Sequence, residues 1–191
     1  MLKDLVVRNR SYRGFDESRP IARADMLEFV DLTRFTASSV NLQPLKYAVV
    51  SDRDLVEEMV KLTRWAGALP EWKLPLPGKH PTGFILVCQD TRVSAAETTF
   101  LKDVGVVAQT ILLAAAEKGF GGCMIGSFDA EGIKALLSLP AQVQPKLAIA
   151  LGVPAEKIVL AQVGEDGKTT YFRDADGTHF VPKRALEDIV L

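Results

Sequence analysis

Apolar residues recur along the chain at two spacings, and these divide it into elements. Residues 2–9 read as a short helix. Residues 23–36 read as an amphipathic helix, with Met26, Leu27, Val30 and Leu32 placed for one face. Residues 47–50 form a short apolar strand ended by Ser51 and Asp52. Residues 53–64 return to helical spacing through Leu55, Met59, Val60 and Leu62. Residues 84–88 read as an apolar strand. Residues 99–118 read as one long helix of about 30 Å at 1.5 Å per residue, apolar on nearly every face from Val104 to Ala116. Such a helix is buried on all sides, by its own sheet or by a second subunit. Gly119 stops it, and residues 120–125 follow as a strand. Asp129 caps a helix over 130–138, and residues 147–151 are a buried strand. Residues 168–181 are polar with interspersed aromatics, and residues 184–190 read as a short last helix.

One stretch fits neither spacing. Residues 65–82 (WAGALPEWKLPLPGKHPT) hold four prolines and two tryptophans. Proline at that density excludes a regular helix or a central strand. Two readings stand side by side: a lid or binding loop walled by Trp65 and Trp72, or an irregular cover in which both tryptophans are simply buried. Helices and strands do not alternate regularly. The expected architecture is therefore α+β or three-layer, with helices packed on a mixed or antiparallel sheet. At 191 residues the chain is expected to be one domain over 1–191, with an excursion at 65–82.

Composition narrows the function classes. The chain is 48% apolar and 25% charged, with a formal net charge of -1. That is globular composition, without the basic excess that draws a protein to nucleic acid or an anionic membrane. The start, MLKDLVVRNR, lacks the apolar stretch of a signal peptide. The apolar run over 104–116 is interrupted by Gln109 and Thr110 and is too short to span a bilayer. Two cysteines, Cys88 and Cys123, read as buried thiols of a cytoplasmic protein rather than a disulfide framework. Two histidines and no ligand-spaced pair leave no metal site.

The candidate chemistry lies in four places. Arg10, Ser11 and Arg13 sit where the first helix ends. Guanidinium groups and a hydroxyl so close together can converge on a phosphate, or can merely offset the helix dipole. Ser38, Ser39, Asn41 and Gln43 form a polar loop. Its amides can read the edge of a flat heterocycle, or cap their own turn. Residues 119–126 (GFGGCMIG) are no dinucleotide fingerprint, because the glycines leave a helix and enter a strand. They suit a helix stop and a close backbone approach to a ligand near Gly126. Lys183 and Arg184 can complete an anion site or stand in solvent. Serine-elbow, metalloprotease and phosphate-loop motifs do not occur.

The order of these segments is more specific than any one of them. R-S-x-R-x-F, then S-x-x-N-x-Q-P, then the apolar helix leaving through G-F-G-G-C-M-I-G-S-F, then A-I-A-L-G-V-P and H-F-V-P-K-R, together resemble the FMN-dependent nitroreductase family from about residue 8 to 190. The resemblance implies a three-layer α/β/α fold of the α+β class. Its sheet is mixed, mainly antiparallel and flanked by helices, and it occurs in an intertwined homodimer. It implies non-covalent FMN at the subunit interface, with NADH or NADPH as electron donor and a small acceptor such as a nitroaromatic, quinone or flavin, in a ping-pong cycle. Carried over by position, Arg10, Ser11, Arg13, Lys183 and Arg184 hold the phosphate end. Ser38, Ser39, Asn41 and Gln43 line the ring edge, from the other subunit or the same one. The Gly126 amide faces the ring with Met124 and Ile125 beside it. No side-chain acid or base is required, so no catalytic residue is named. The same fold also serves flavin-sequestering, dehalogenating and flavin-degrading proteins. Asn9, Ala37 and Leu45 depart from the family pattern, which has arginine, proline and tryptophan there.

Overall fold

The computed structural model describes residues 1–96 and 98–191. The helices are α1 (Leu2–Arg8), α2 (Arg23–Leu32), α3 (Arg53–Lys61), α4 (Leu101–Glu117) and α5 (Ala130–Leu136). The strands are β1 (Leu45–Val50), β2 (Gly83–Asp90), β3 (Gly121–Ile125), β4 (Val143–Gly152), β5 (Ile158–Gln162), β6 (Phe172–Arg173) and β7 (His179–Lys183). The first four strands pair in the order β1-β2-β4-β3, antiparallel throughout. β5, β7 and β6 form a smaller sheet in which β5 and β7 run parallel.

β2 carries apolar side chains on both faces because helices cover both. Ile85 and Val87 pack with Ile149 and Leu151 against Met26 and Phe29 of α2 and Val107, Ala108 and Ile111 of α4. Phe84, Leu86 and Cys88 pack the other way, with Ala148 and Ala150, against Val56 and Met59 of α3 and Ile133 of α5. Every residue of β2 is buried, as a strand between two helix layers must be. The result is the expected three-layer α/β/α arrangement. Among the named strands, parallel pairing occurs between β5 and β7 of the small C-terminal sheet.

The helix ends follow from single residues. Asp129 accepts the Gly132 amide at 3.0 Å and starts α5. Asp52 does the same for α3 through the Leu55 amide. Gly119, at φ +83°, ends α4, with its amide on the Ala116 carbonyl and the Phe120 amide on that of Ala115. This double bond to the last turn needs a left-handed residue, which glycine adopts without steric cost.

Three expectations are corrected. The helix read over 23–36 ends at Leu32 and tightens into a 3₁₀ turn at Thr33–Phe35. Its buried face is Met26 and Phe29, with Val30 beside them, while Leu27 and Leu32 are exposed. Of the two readings of α4, enclosure by its own sheet fails because Leu101 and Val106 face outward, and cover by a second subunit stands. Residues 184–190 form a turn and no helix. Their Leu186, Ile189 and Val190 have no surface of this chain to lie on, and an isolated helix that short is unstable in water. Residues 65–82 form neither helix nor strand, as the prolines dictate. Among the described residues no helix is long and apolar enough to cross a membrane.

Candidate functional site

The chain leaves α1 in extended conformation at Asn9. It then lies along the outer edge of β3, with Ser11 bridged to Gly122 in parallel and the Tyr12 amide on the Gly122 carbonyl at 3.0 Å. Gly121 allows this approach, and Gly122 lets β3 itself sit close against β4 and α4. A Cβ on Gly121 would stand 2.4 Å from the Tyr12 ring, and one on Gly122 would stand 2.5 Å from the Ala150 carbonyl oxygen. The seating opens a pocket of about 240 Å³. Asn9, Arg10 and Ser11 form one wall, Gln109 and Leu112 of α4 another, and Met124 of β3 with Val181 and Lys183 of β7 the rest.

The lining holds two cations and no carboxylate. Arg10 donates through Nη2 to the Val6 carbonyl at 2.7 Å, while its buried Nε has no partner. Polar atoms buried in that way call for a ligand or water. A phosphate supplies charge and several acceptors at once. On chemistry, therefore, the residues present fit the phosphate end of FMN.

Arg13 lies apart from this pocket. It is 9% exposed, stacks over the Tyr171 ring at 4.9 Å, and donates to the Ser11 carbonyl. Its backbone amide donates to Glu156, whose other oxygen takes the Arg173 guanidinium. Arg173 in turn stacks over Trp72 at 5.3 Å. His179 lies 5.2 Å from Tyr171, 1% exposed, with both ring nitrogens unpartnered. Burial pushes its pKa down to about 4, and the charges of Arg13 and Arg173 act in the same direction. This buried cluster ties the C-terminal sheet to the Arg10–Arg13 segment.

The amide loop is built differently from expectation. Both hydroxyls of Ser38 and Ser39 donate to Asp103 of α4, at 2.7 Å each, and the Ser39 amide donates to it at 2.8 Å. Those donors are therefore spent within the chain. Asn41 and Gln43 remain exposed. Ser38, Gln43 and Asp103 line a separate cavity of about 150 Å³, and Asn41 lines neither pocket.

The remaining candidates are dispersed. Met124 reaches the phosphate-side pocket, but Ile125 is 4% exposed and belongs to the core. Gly126 is exposed, with nothing within 4 Å of where a Cβ would be. Arg184 is exposed beside Lys183 and does not line the pocket. Trp65 packs on the core and donates to Thr63 Oγ1 at 2.9 Å, while Trp72 lies under Arg173. Neither tryptophan lines the pocket that holds Arg10.

A model of the nitroreductase family matches residues 6–153. The chain belongs to the nitroreductase family. An oxygen-insensitive NADPH nitroreductase of Salmonella typhimurium is 31% identical over 162 residues, and the match spans 80% of the chain and 65% of that relative. A nitroreductase family protein of Clostridium novyi NT shares the fold with a TM-score of 0.66 at 18% identity, covering 100% of the chain and 99% of its own. An FMN-dependent nitroreductase of Clostridium difficile R20291 shares it at 0.65 and 18% identity, covering 80% of the chain and 87% of its own. Family membership supports an oxidoreductase, and the two solved structures, at 18% identity, show the shared fold.

The family match takes in Arg10, Ser11, the amide loop and Gly126, and ends before β5. Lys183 thus joins the pocket of Arg10 and Ser11 from a segment outside the matched span. Sequence reasoning missed Asp103, Gln109 and Glu156. A polar residue inside an apolar helix was a usable signal for the first two, since it needs a partner wherever it is buried.

Proposed function

We propose that the chain is an FMN-dependent oxidoreductase that takes electrons from NADH or NADPH and passes them to a small acceptor in a ping-pong cycle. The observation that carries this is the pocket on the β3 edge of a nitroreductase-family chain, where Arg10, Ser11 and Lys183 converge without a carboxylate. Bound FMN would supply the redox chemistry. Arg10 and Lys183 would neutralise its phosphate, Ser11 would donate to a phosphate oxygen, and Met124 would lie against the flavin. Gln109, an exposed amide on α4, offers a further donor and acceptor.

The site is shared between two copies of the chain in this reading. Asn41 does not line the phosphate-side pocket of its own chain, so a partner's loop would complete the ring edge. Apolar side chains suited to that contact are exposed on α4 at Leu101 and Val106, and around the loop at Phe35, Val40 and Leu42. Such a grouping marks an association surface.

Anaerobic stopped-flow tests the reaction. NADH or NADPH is expected to bleach the protein-bound flavin, and a later pulse of quinone or nitroaromatic is expected to restore its colour. A flavin that binds but is bleached by neither nicotinamide would leave a flavoprotein without this reductase activity.

A further inference from the structure

We propose that Asp103 is a positioning residue that holds the loop from which Asn41 meets the flavin ring; this rests on the FMN reading above. Asp103 is 4% exposed and both its oxygens are engaged by Ser38 and Ser39. The loop it grips is built from costly backbone. Val40, Asn41 and Gln43 have φ of 47°, 54° and 52°, values that residues other than glycine adopt only when their surroundings enforce them. Val40 is β-branched and 89% exposed, so its own side chain does not hold it there.

A series of hydrogen bonds links Asp103 to Asn41. The Ser38 hydroxyl donates to Asp103, and its oxygen accepts the Gln43 amide at 3.1 Å, which closes the loop. The Gln43 side chain then donates to Asn41 Oδ1 and to the Asn41 carbonyl, at 3.2 Å each. Gln43 takes one lone pair of Oδ1, and among the described residues the Asn41 NH2 group donates to no partner, which leaves it available to a ligand. Asn41 is thereby a donor toward its ligand, matched to a carbonyl oxygen or an unprotonated ring nitrogen. An ionised carboxylate accepts only, so Asp103 takes all three donors of Ser38 and Ser39 and leaves the Ser38 oxygen free to accept the Gln43 backbone amide. Burial would raise the Asp103 pKa, but the Ser39 and Ser38 bonds outweigh it and hold the group below its ordinary value. Asp103 also stands six residues before Gln109, about 9 Å along α4. One rigid helix therefore anchors the ring-edge loop and lines a phosphate-side pocket.

Asp103→Asn tests this. The asparagine has one acceptor oxygen and sets an NH2 group against the Ser39 donors, so the loop loses its anchor. Fluorescence titration with FMN and with riboflavin, which lacks the phosphate, separates the two ends of the site. Asp103→Asn is expected to weaken both ligands by the same factor, about tenfold, and to shift the visible band of the bound flavin. Ser39→Ala removes one bond and leaves Asp103 with the others. It is expected to weaken both ligands equally by a smaller factor, and it supplies the test if the first variant does not fold. Unchanged affinity and an unchanged band in a folded variant would overturn the inference, even if thermal stability fell. Loss of FMN affinity alone would also overturn it, since that would place Asp103 at the phosphate end. Wild-type protein that binds neither ligand would overturn the FMN reading itself.

Discussion

Arg10→Ala lowers FMN affinity by roughly 10- to 150-fold and leaves riboflavin affinity unchanged. The factor corresponds to about 1.5–3 kcal/mol, the contribution of a hydrogen bond to a charged group. Arg10 is suited to this role because its Nε is buried and unpartnered on a pocket wall that already holds Ser11 and Lys183. Its bond to the Val6 carbonyl is exposed, so truncation costs the fold little. Arg10→Lys keeps the charge but loses the planar fork, and is expected to fall between wild type and alanine. Arg8→Ala, at an exposed position two residues earlier at the end of α1, changes neither affinity. Equal FMN binding by Arg10→Ala and wild type would mean that the phosphate lies elsewhere.

Glu156→Ala destabilises the protein by about 3–5 kcal/mol, a large part of the 5–15 kcal/mol that holds a typical domain together. The Glu156 and Arg173 side chains are 6% and 5% exposed. Removing the carboxylate leaves the Arg173 charge buried without its anion, next to Arg13 and the neutral His179. The Arg13 amide loses its acceptor as well. For a chain of this length the loss corresponds to a fall in melting temperature of roughly 6–20 °C. Glu156→Gln keeps one acceptor and is expected to lose less. A melting temperature within 2 °C of wild type, by about the same scaling, would show that the buried pair contributes little. Differential scanning calorimetry on the apoprotein makes the measurement without interference from ligand.

Most of the layered core was legible because its signals are local. β2 is a continuous apolar run, α4 is long and apolar, and Gly119 and Asp129 mark ends by mechanisms that need no tertiary information. β5, β6 and β7 were not legible. The apolar run over 158–161 of β5 does not show what it pairs with, and the sheet is tied to the fold by Arg13, Glu156, Arg173 and His179, which no hydrophobic period announces. Residues 184–190 failed for the opposite reason. Leu186, Ile189 and Val190 suit a helix face, but this chain gives them nothing to cover.

The site divides in the same way. Arg10, Ser11 and Lys183 were named through family resemblance, and the fold brings them to one pocket across more than 170 residues of sequence. Ser38 and Ser39 were named for their hydroxyls, but those hydroxyls serve Asp103. Sequence shows that a serine has a donor and is silent on which acceptor it meets. That depends on α4 lying beside the loop, which is a product of the whole fold. Trp65 and Trp72 were attractive as pocket walls because they are aromatic amid prolines. Their actual neighbours, Thr63 and Arg173, are a local hydrogen bond and a distant strand.

Sedimentation velocity on the purified protein, recorded at the visible flavin band as well as in the protein ultraviolet, tests the shared FMN site most directly. Flavin absorbance is expected to move with a species of twice the mass of one chain, at one FMN per chain. Flavin moving with single chains, or a dimer that carries none after incubation with FMN, would contradict a cofactor site built by two copies of this nitroreductase-family chain.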